Sequence, residues 1–122
     1  MNKILVYGSL REGLINYTNY LASYKPIETF ELKGFKMYNL GGYPMVMRDT
    51  RKDNKIIVES YEIEERDYEI IQFIEKGAGY REAQVDIKGV KYSLFCYDWI
   101  PKSAKEIIKG DYKEYLKENG YF

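Results

Sequence analysis

Apolar and polar positions along the chain alternate between two spacings, one of strands and one of helices. From Ile4 to Tyr7 the apolar run is unbroken and ends at Gly8, the pattern of a strand buried on both faces. Ser9 to Gly13 is a polar loop, and Asn16 to about Ser23 reads as a short helix with Asn16 as its N-cap. Thr29 to Leu40 is β-prone and broken at Gly34, which predicts two strand pieces. Gly41-Gly42-Tyr43-Pro44 signals a turn, Met45 to Arg48 resumes an extended path, and Asp49 to Lys55 is a charged hairpin-like loop. Ile56 to Ile63 alternates, with Ile57, Glu59, Tyr61 and Ile63 opposite Ile56, Val58, Ser60 and Glu62. Glu65 to Glu75 is a predicted helix with acidic residues in its first turn and Lys76-Gly77 past its end. Gly79 to Ile87 then forms a strand, Lys88-Gly89 a tight turn, and Lys91 to Trp99 the hairpin partner, which Pro101 ends. Asp111 opens a last helix to about Glu118.

The resulting order, β-α-β-β-β-α-β-β-α, has too few helices for regular strand–helix alternation and argues against a Rossmann-like sheet. The fold class is α+β: a small mixed sheet, curled into a partial β-barrel, with flanking helices. Ile4–Tyr7, Ile56–Ile63, Gly79–Ile87 and Lys91–Trp99 should share that sheet, with Val6, Val85 and Ile87 among its inward side chains. A length of 122 residues argues for one domain, 1–122.

Composition narrows the chemistry. Lys+Arg and Asp+Glu both number 19, so no basic excess supports a nucleic-acid-binding surface. There is no histidine, which removes Ser-His-Asp triads, Cys-His dyads and histidine-based metal sites. The lone Cys96 excludes an intramolecular disulfide and a cysteine-rich zinc site. The apolar run before Gly8 is too short for a signal-peptide core or a membrane span, and a cytoplasmic, non-membrane protein is expected. Oligomeric state is left open.

Three features can carry chemistry. The loop Tyr7-Gly8-Ser9-Leu10-Arg11 follows a strand that breaks at a glycine, where successive backbone N–H groups can hold a carboxylate or an amide oxygen; an ordinary strand-to-loop turn is the alternative. Glu75 lies on the helical stripe of Tyr68 and Ile71, at the edge of an apolar arc of Ile70, Ile71, Phe73 and Ile74. Partial desolvation there would raise its pKa toward that of a general base, whereas a solvated helix-end glutamate would do nothing. Arg81 shares a face with Ala83, Val85 and Ile87, pointing at the core or a pocket. It either meets an anionic ligand or forms an ion pair with Glu59 or Glu75, and Glu59 is a second inward-leaning carboxylate.

Taken in order, Tyr7-Gly8-Ser9-Leu10-Arg11 with Gly13 and Asn16, then Gly42-Tyr43-Pro44, Glu59-x-Tyr61-Glu62-Ile63, Glu75 followed by Tyr80-Arg81, and Gly110-Asp111-Tyr112 resemble the gamma-glutamylcyclotransferase-like superfamily. The resemblance implies a small mixed barrel with one cavity, and release of pyroglutamate from gamma-glutamyl amines or peptides without a cofactor or metal. It implies that Tyr7, Gly8, Ser9 and Leu10 hold the gamma-glutamyl group and that Glu75 is the catalytic acid–base, with Arg81 beside them. A non-catalytic small-ligand-binding module of the same fold is the alternative. Gln72 and Lys76 stand where the family usually has Asp and Gly, and Val58 where many members have Gly. Lys76 beside Glu75 is expected to favour the charged carboxylate and lower its pKa.

Overall fold

In the computed structural model, which describes residues 1–51 and 53–121, the order is β1 (Asn2–Val6), α1 (Ile15–Tyr20), β2 (Glu28–Lys33), β3 (Phe35–Leu40), β4 (Tyr43–Arg48), β5 (Lys55–Ile63), α2 (Glu65–Gly77), β6 (Arg81–Ile87), β7 (Val90–Cys96), β8 (Lys105–Glu106) and α3 (Tyr112–Glu118). A five-stranded sheet runs β2-β5-β1-β7-β6 and a three-stranded sheet runs β4-β3-β8. Only the β1–β7 pair in the larger sheet is parallel. The chain passes from one sheet to the other at Gly34, whose φ of 89° needs a residue without a Cβ. A single parallel bridge from Met47 to Tyr97 ties the two sheets together without closing a barrel.

Both faces of the larger sheet are covered, as the unbroken run Ile4–Tyr7 requires. Leu5 and Tyr7 point into the space between the sheets, among Ile56, Val58, Val85, Leu94 and Met37. Ile4 and Val6 point the other way, packing with Leu21, Tyr61, Ile63 and Ile71 beneath α1 and α2. Val6 is therefore buried on the helix side and not, as expected, with Val85 and Ile87, because successive side chains of a strand face opposite ways.

Four strands, not three, separate the first two helices. Tyr43 and Pro44 belong to β4, in register with Leu40 and Asn39. The turn is confined to Gly41 and Gly42, at φ 59° and 97°, the signature of a two-residue primed turn. Pro44 is tolerated because β4 is an edge strand. The two-residue β8 is charged and exposed, and has no apolar periodicity to betray it. β7 stops at Cys96, short of the expected Trp99, whose side chain is exposed. Helix α3 starts as expected, with the Asp111 side chain accepting from the Glu114 amide. None of the helices among the described residues is long and apolar enough to cross a membrane.

Candidate active site

β1 delivers the chain to the site at Tyr7. The buried Tyr7 hydroxyl donates to the Phe95 carbonyl at 2.6 Å, which fixes the strand end against β7. Gly8 then passes so close to the β3–β4 hairpin that a Cβ on it would lie 2.5 Å from Pro44 Cγ. The Gly8 carbonyl accepts from Arg11 N at 2.9 Å, and the Ser9 carbonyl accepts from the Asn16 and Tyr17 amides at 3.0 and 3.1 Å. The loop carbonyl thus satisfies first-turn donors of α1, a task expected of the Asn16 side chain. Leu14 occupies the N-cap position instead. The amides of Ser9 and Leu10 donate no hydrogen bond among the described residues.

Tyr7, Gly8, Ser9 and Leu10 line a cavity of about 360 Å³ together with Asn16, Tyr43, Pro44, Ile74, Glu75, Ala78 and Tyr80. Glu75 supplies its carboxylate from the last turn of α2. Burial alone pushes the Glu75 pKa up to about 7. No hydrogen bond reaches its carboxylate among the described residues, so no partner offsets that desolvation. Lys76 does not lower it as expected. Successive helical residues point about 100° apart, and the Lys76 ammonium turns to Glu82 at 3.7 Å. Gln72 is drawn to the same carboxylate, donating to Glu82 at 2.8 Å. Of the apolar arc on α2, Ile71 is buried and Ile74 reaches the cavity, but Phe73 is 83% exposed.

The Tyr80 hydroxyl donates to the Pro44 carbonyl at 2.7 Å, and its ring lies 4.5 Å from that of Tyr97. Burial first, and the nearby Glu75 charge second, hold the Tyr80 hydroxyl well above its usual pKa. The buried Tyr7 and Tyr80 phenols are therefore hydrogen-bonding walls at neutral pH, and Glu75 is the carboxylate of this cavity whose pKa burial brings near neutrality.

Arg81 does not join them. As the first residue of β6 it sits beyond the covered part of the sheet, exposed and ion-paired to Asp98. Neither Glu59 nor Glu75 meets it. Glu59 is 2% exposed and held by Arg11 Nε at 2.9 Å, Lys113 Nζ at 3.2 Å and the Glu12 amide at 2.7 Å. Burial raises the Glu59 pKa, but these donors outweigh it and keep it below the ordinary value. Arg11 also binds Asp111 at 2.8 Å, so the loop that carries the Ser9 and Leu10 amides is clamped to β5 and α3. This clamp went unseen in the sequence, where Arg11 reads as a polar loop residue.

A sequence profile described as Gamma-glutamyl cyclotransferase, AIG2-like matches residues 4–115. The chain belongs to this family. Among AIG2-like cyclotransferases, a Pyrococcus horikoshii protein provisionally named a gamma-glutamylcyclotransferase is 32% identical over 113 residues, covering 92% of this chain and 91% of its own length. A Methanocaldococcus jannaschii protein with the same provisional name is 31% identical over 122 residues, covering 94% of this chain and 98% of its own. The crystal structure of the P. horikoshii protein superposes with a TM-score of 0.83 at 30% identity, over 99% of this chain and 98% of that one. In this AIG2-like chain Val58 is fully buried in the core between the sheets.

Proposed function

We propose that the protein is a gamma-glutamyl cyclotransferase that releases pyroglutamate and a free amine from a gamma-glutamyl amine or peptide, with Glu75 as general acid–base. The observation that carries this reading is a desolvated carboxylate, with a pKa near 7, in one cavity with the unpaired Ser9 and Leu10 amides. A base poised near neutrality accepts a proton readily and returns it readily.

The substrate's α-ammonium gives a proton to the Glu75 carboxylate. Its nitrogen lone pair then attacks the γ-carbonyl carbon, closing a five-membered ring and placing negative charge on the carbonyl oxygen. Backbone N–H groups of the Tyr7–Leu10 loop stabilise that oxyanion. As the bond from the γ-carbon to the leaving nitrogen breaks and the oxyanion returns to a carbonyl, Glu75 passes its proton to that nitrogen, and the cationic ring nitrogen gives up its second proton, which leaves on the departing amine as an ammonium. Pyroglutamate and amine depart, with one C–N bond formed and one broken. The family membership supports this chemistry, and the substrate's own amine serves as nucleophile.

The test is incubation of the full chain with a panel of gamma-glutamyl amines and dipeptides, with pyroglutamate followed by mass spectrometry. Wild type should release it and Glu75→Gln should not. No release across the panel, with a substrate analogue bound in the cavity, would make this a binding module of the same fold.

A further inference from the structure

We propose that Asn16 is a substrate-binding residue, its side-chain carbonyl accepting a hydrogen bond from the α-amino group of the γ-glutamyl moiety between Ser9 and Glu75. This rests on the γ-glutamyl reading of the cavity. In the amide of Asn16, Nδ2 donates to Ser9 Oγ at 2.6 Å. The backbone is set, since the Asn16 and Tyr17 amides both donate to the Ser9 carbonyl. Oδ1 is left over, able to accept two hydrogen bonds and receiving none among the described residues.

Asn16 lines the main cavity and also a small recess formed with Leu10, Tyr20, Ile71, Ile74 and Glu75. It borders the same space as the Glu75 carboxylate. The hydroxyls of Tyr7 and Tyr80 are already committed to the carbonyls of Phe95 and Pro44. An amine that surrenders one proton to Glu75 keeps two N–H bonds. A neutral acceptor holding one of them turns the lone pair toward the γ-carbonyl, and an amide does so at any pH because it does not titrate. Asn16 is the second residue of α1 and makes no cap hydrogen bond, so its side chain is not spent on the helix end.

The experiment compares the affinities of L-glutamate and glutarate, which differ only in the α-amino group, by calorimetric titration of the full chain. Wild type should favour L-glutamate by about tenfold or more, the scale of one hydrogen bond to a charged group. Asn16→Ala should lower that ratio by about tenfold, and Asn16→Asp, which keeps an acceptor, should preserve it. Should Asn16→Ala not fold, Asn16→Ser, whose hydroxyl stops one bond short, takes its place. The same loss must appear when Asn16→Ala is made on Ser9→Ala; no further loss there would mean that Asn16 acts only through the Ser9 hydroxyl and would overturn the inference. An unchanged ratio in Asn16→Ala overturns it too, and if wild type still releases pyroglutamate the γ-glutamyl reading survives. Absence of both binding and release overturns the two together.

Discussion

Gly8 and Pro44 touch so closely that the site depends on a missing atom: a Cβ at Gly8 would stand 2.5 Å from Pro44 Cγ. Pro44 belongs to an edge strand and also supplies the carbonyl that holds the Tyr80 hydroxyl. The contact therefore joins the loop with the Ser9 and Leu10 amides to the aromatic wall across the cavity. Gly8→Ala should cost about 1–3 kcal/mol of stability, the usual cost of overpacking a filled site. Because the loop or Pro44 must move, activity should fall further than stability explains. Chemical denaturation and kcat/KM on the same sample check this. Unchanged kcat/KM would show that the contact does not position the loop.

Glu75→Gln separates function from stability with opposite signs. Loss of the acid–base should reduce turnover by about 10²–10⁴. The Glu75 pKa lies above its unfolded value, so its contribution to stability is fully present below about pH 4.5 and is lost as pH rises through about 7. Above neutrality the folded protein carries a desolvated charge that the variant lacks. Glu75→Gln should thus be the more stable protein at pH 8, by up to ~3 kcal/mol for a shift of this size, and the difference should vanish near pH 4. Thermal melts across that range read it directly.

The Arg11 clamp has the reverse pH sense. Glu59 and Asp111 both have pKa values held below their ordinary ones: burial works against this, and it is overcome at Glu59 by the Glu12 amide and then Arg11, and at Asp111 by Arg11 and then the Glu114 amide. Their contribution is present above their unfolded pKa values of about 4–4.5 and is lost as pH falls through the depressed ones. Acid unfolding should steepen there. Arg11→Met should cost at most about 3–5 kcal/mol at neutral pH, because the buried Glu59 charge loses its closest cation and keeps only Lys113 and the Glu12 amide. It should also flatten the acid limb of stability against pH, which denaturant titrations between pH 3 and 7 would measure.

What was legible in the sequence was what neighbouring residues enforce. The Ile4–Tyr7 run, the break at Gly34, the Lys88-Gly89 turn and the helix start at Asp111 each carry a local signature, and each lies where it was expected. The order of motifs brought Tyr7–Leu10 and Glu75 to one cavity wall by family pattern. Illegible were contacts set across long separations. Arg11 meets Glu59 and Asp111 at distances of 48 and 100 residues along the chain, so nothing local marks it as buried. Arg81 shares the parity of Ala83 and Val85, but parity cannot say where the covered part of a strand begins. Asn16 reads as a helix cap because its side chain suits that role, and only the folded loop shows that Ser9 supplies the acceptor instead.

The direction of Lys76 yields the last prediction. Adjacency in sequence suggested that its ammonium would stabilise the Glu75 carboxylate, but it is engaged with Glu82, whose carboxylate also accepts from Ser93 at 2.6 Å and from Gln72. If burial alone sets the Glu75 pKa, replacing Lys76 should leave the pH dependence of kcat/KM in place. Lys76→Gln should shift the ionisation near pH 7 by no more than about 0.3 unit, the scale left to an exposed charge in salt. Ile74→Asn is the contrasting change. It puts a polar group into the wall beside Glu75, so the same ionisation should move down toward the ordinary carboxylate value. A full pH–rate profile of the three proteins checks both. A large downward shift on Ile74→Asn with none on Lys76→Gln would identify the apolar wall as the source of the poised base. A shift on Lys76→Gln would mean that the lysine swings toward Glu75 in solution.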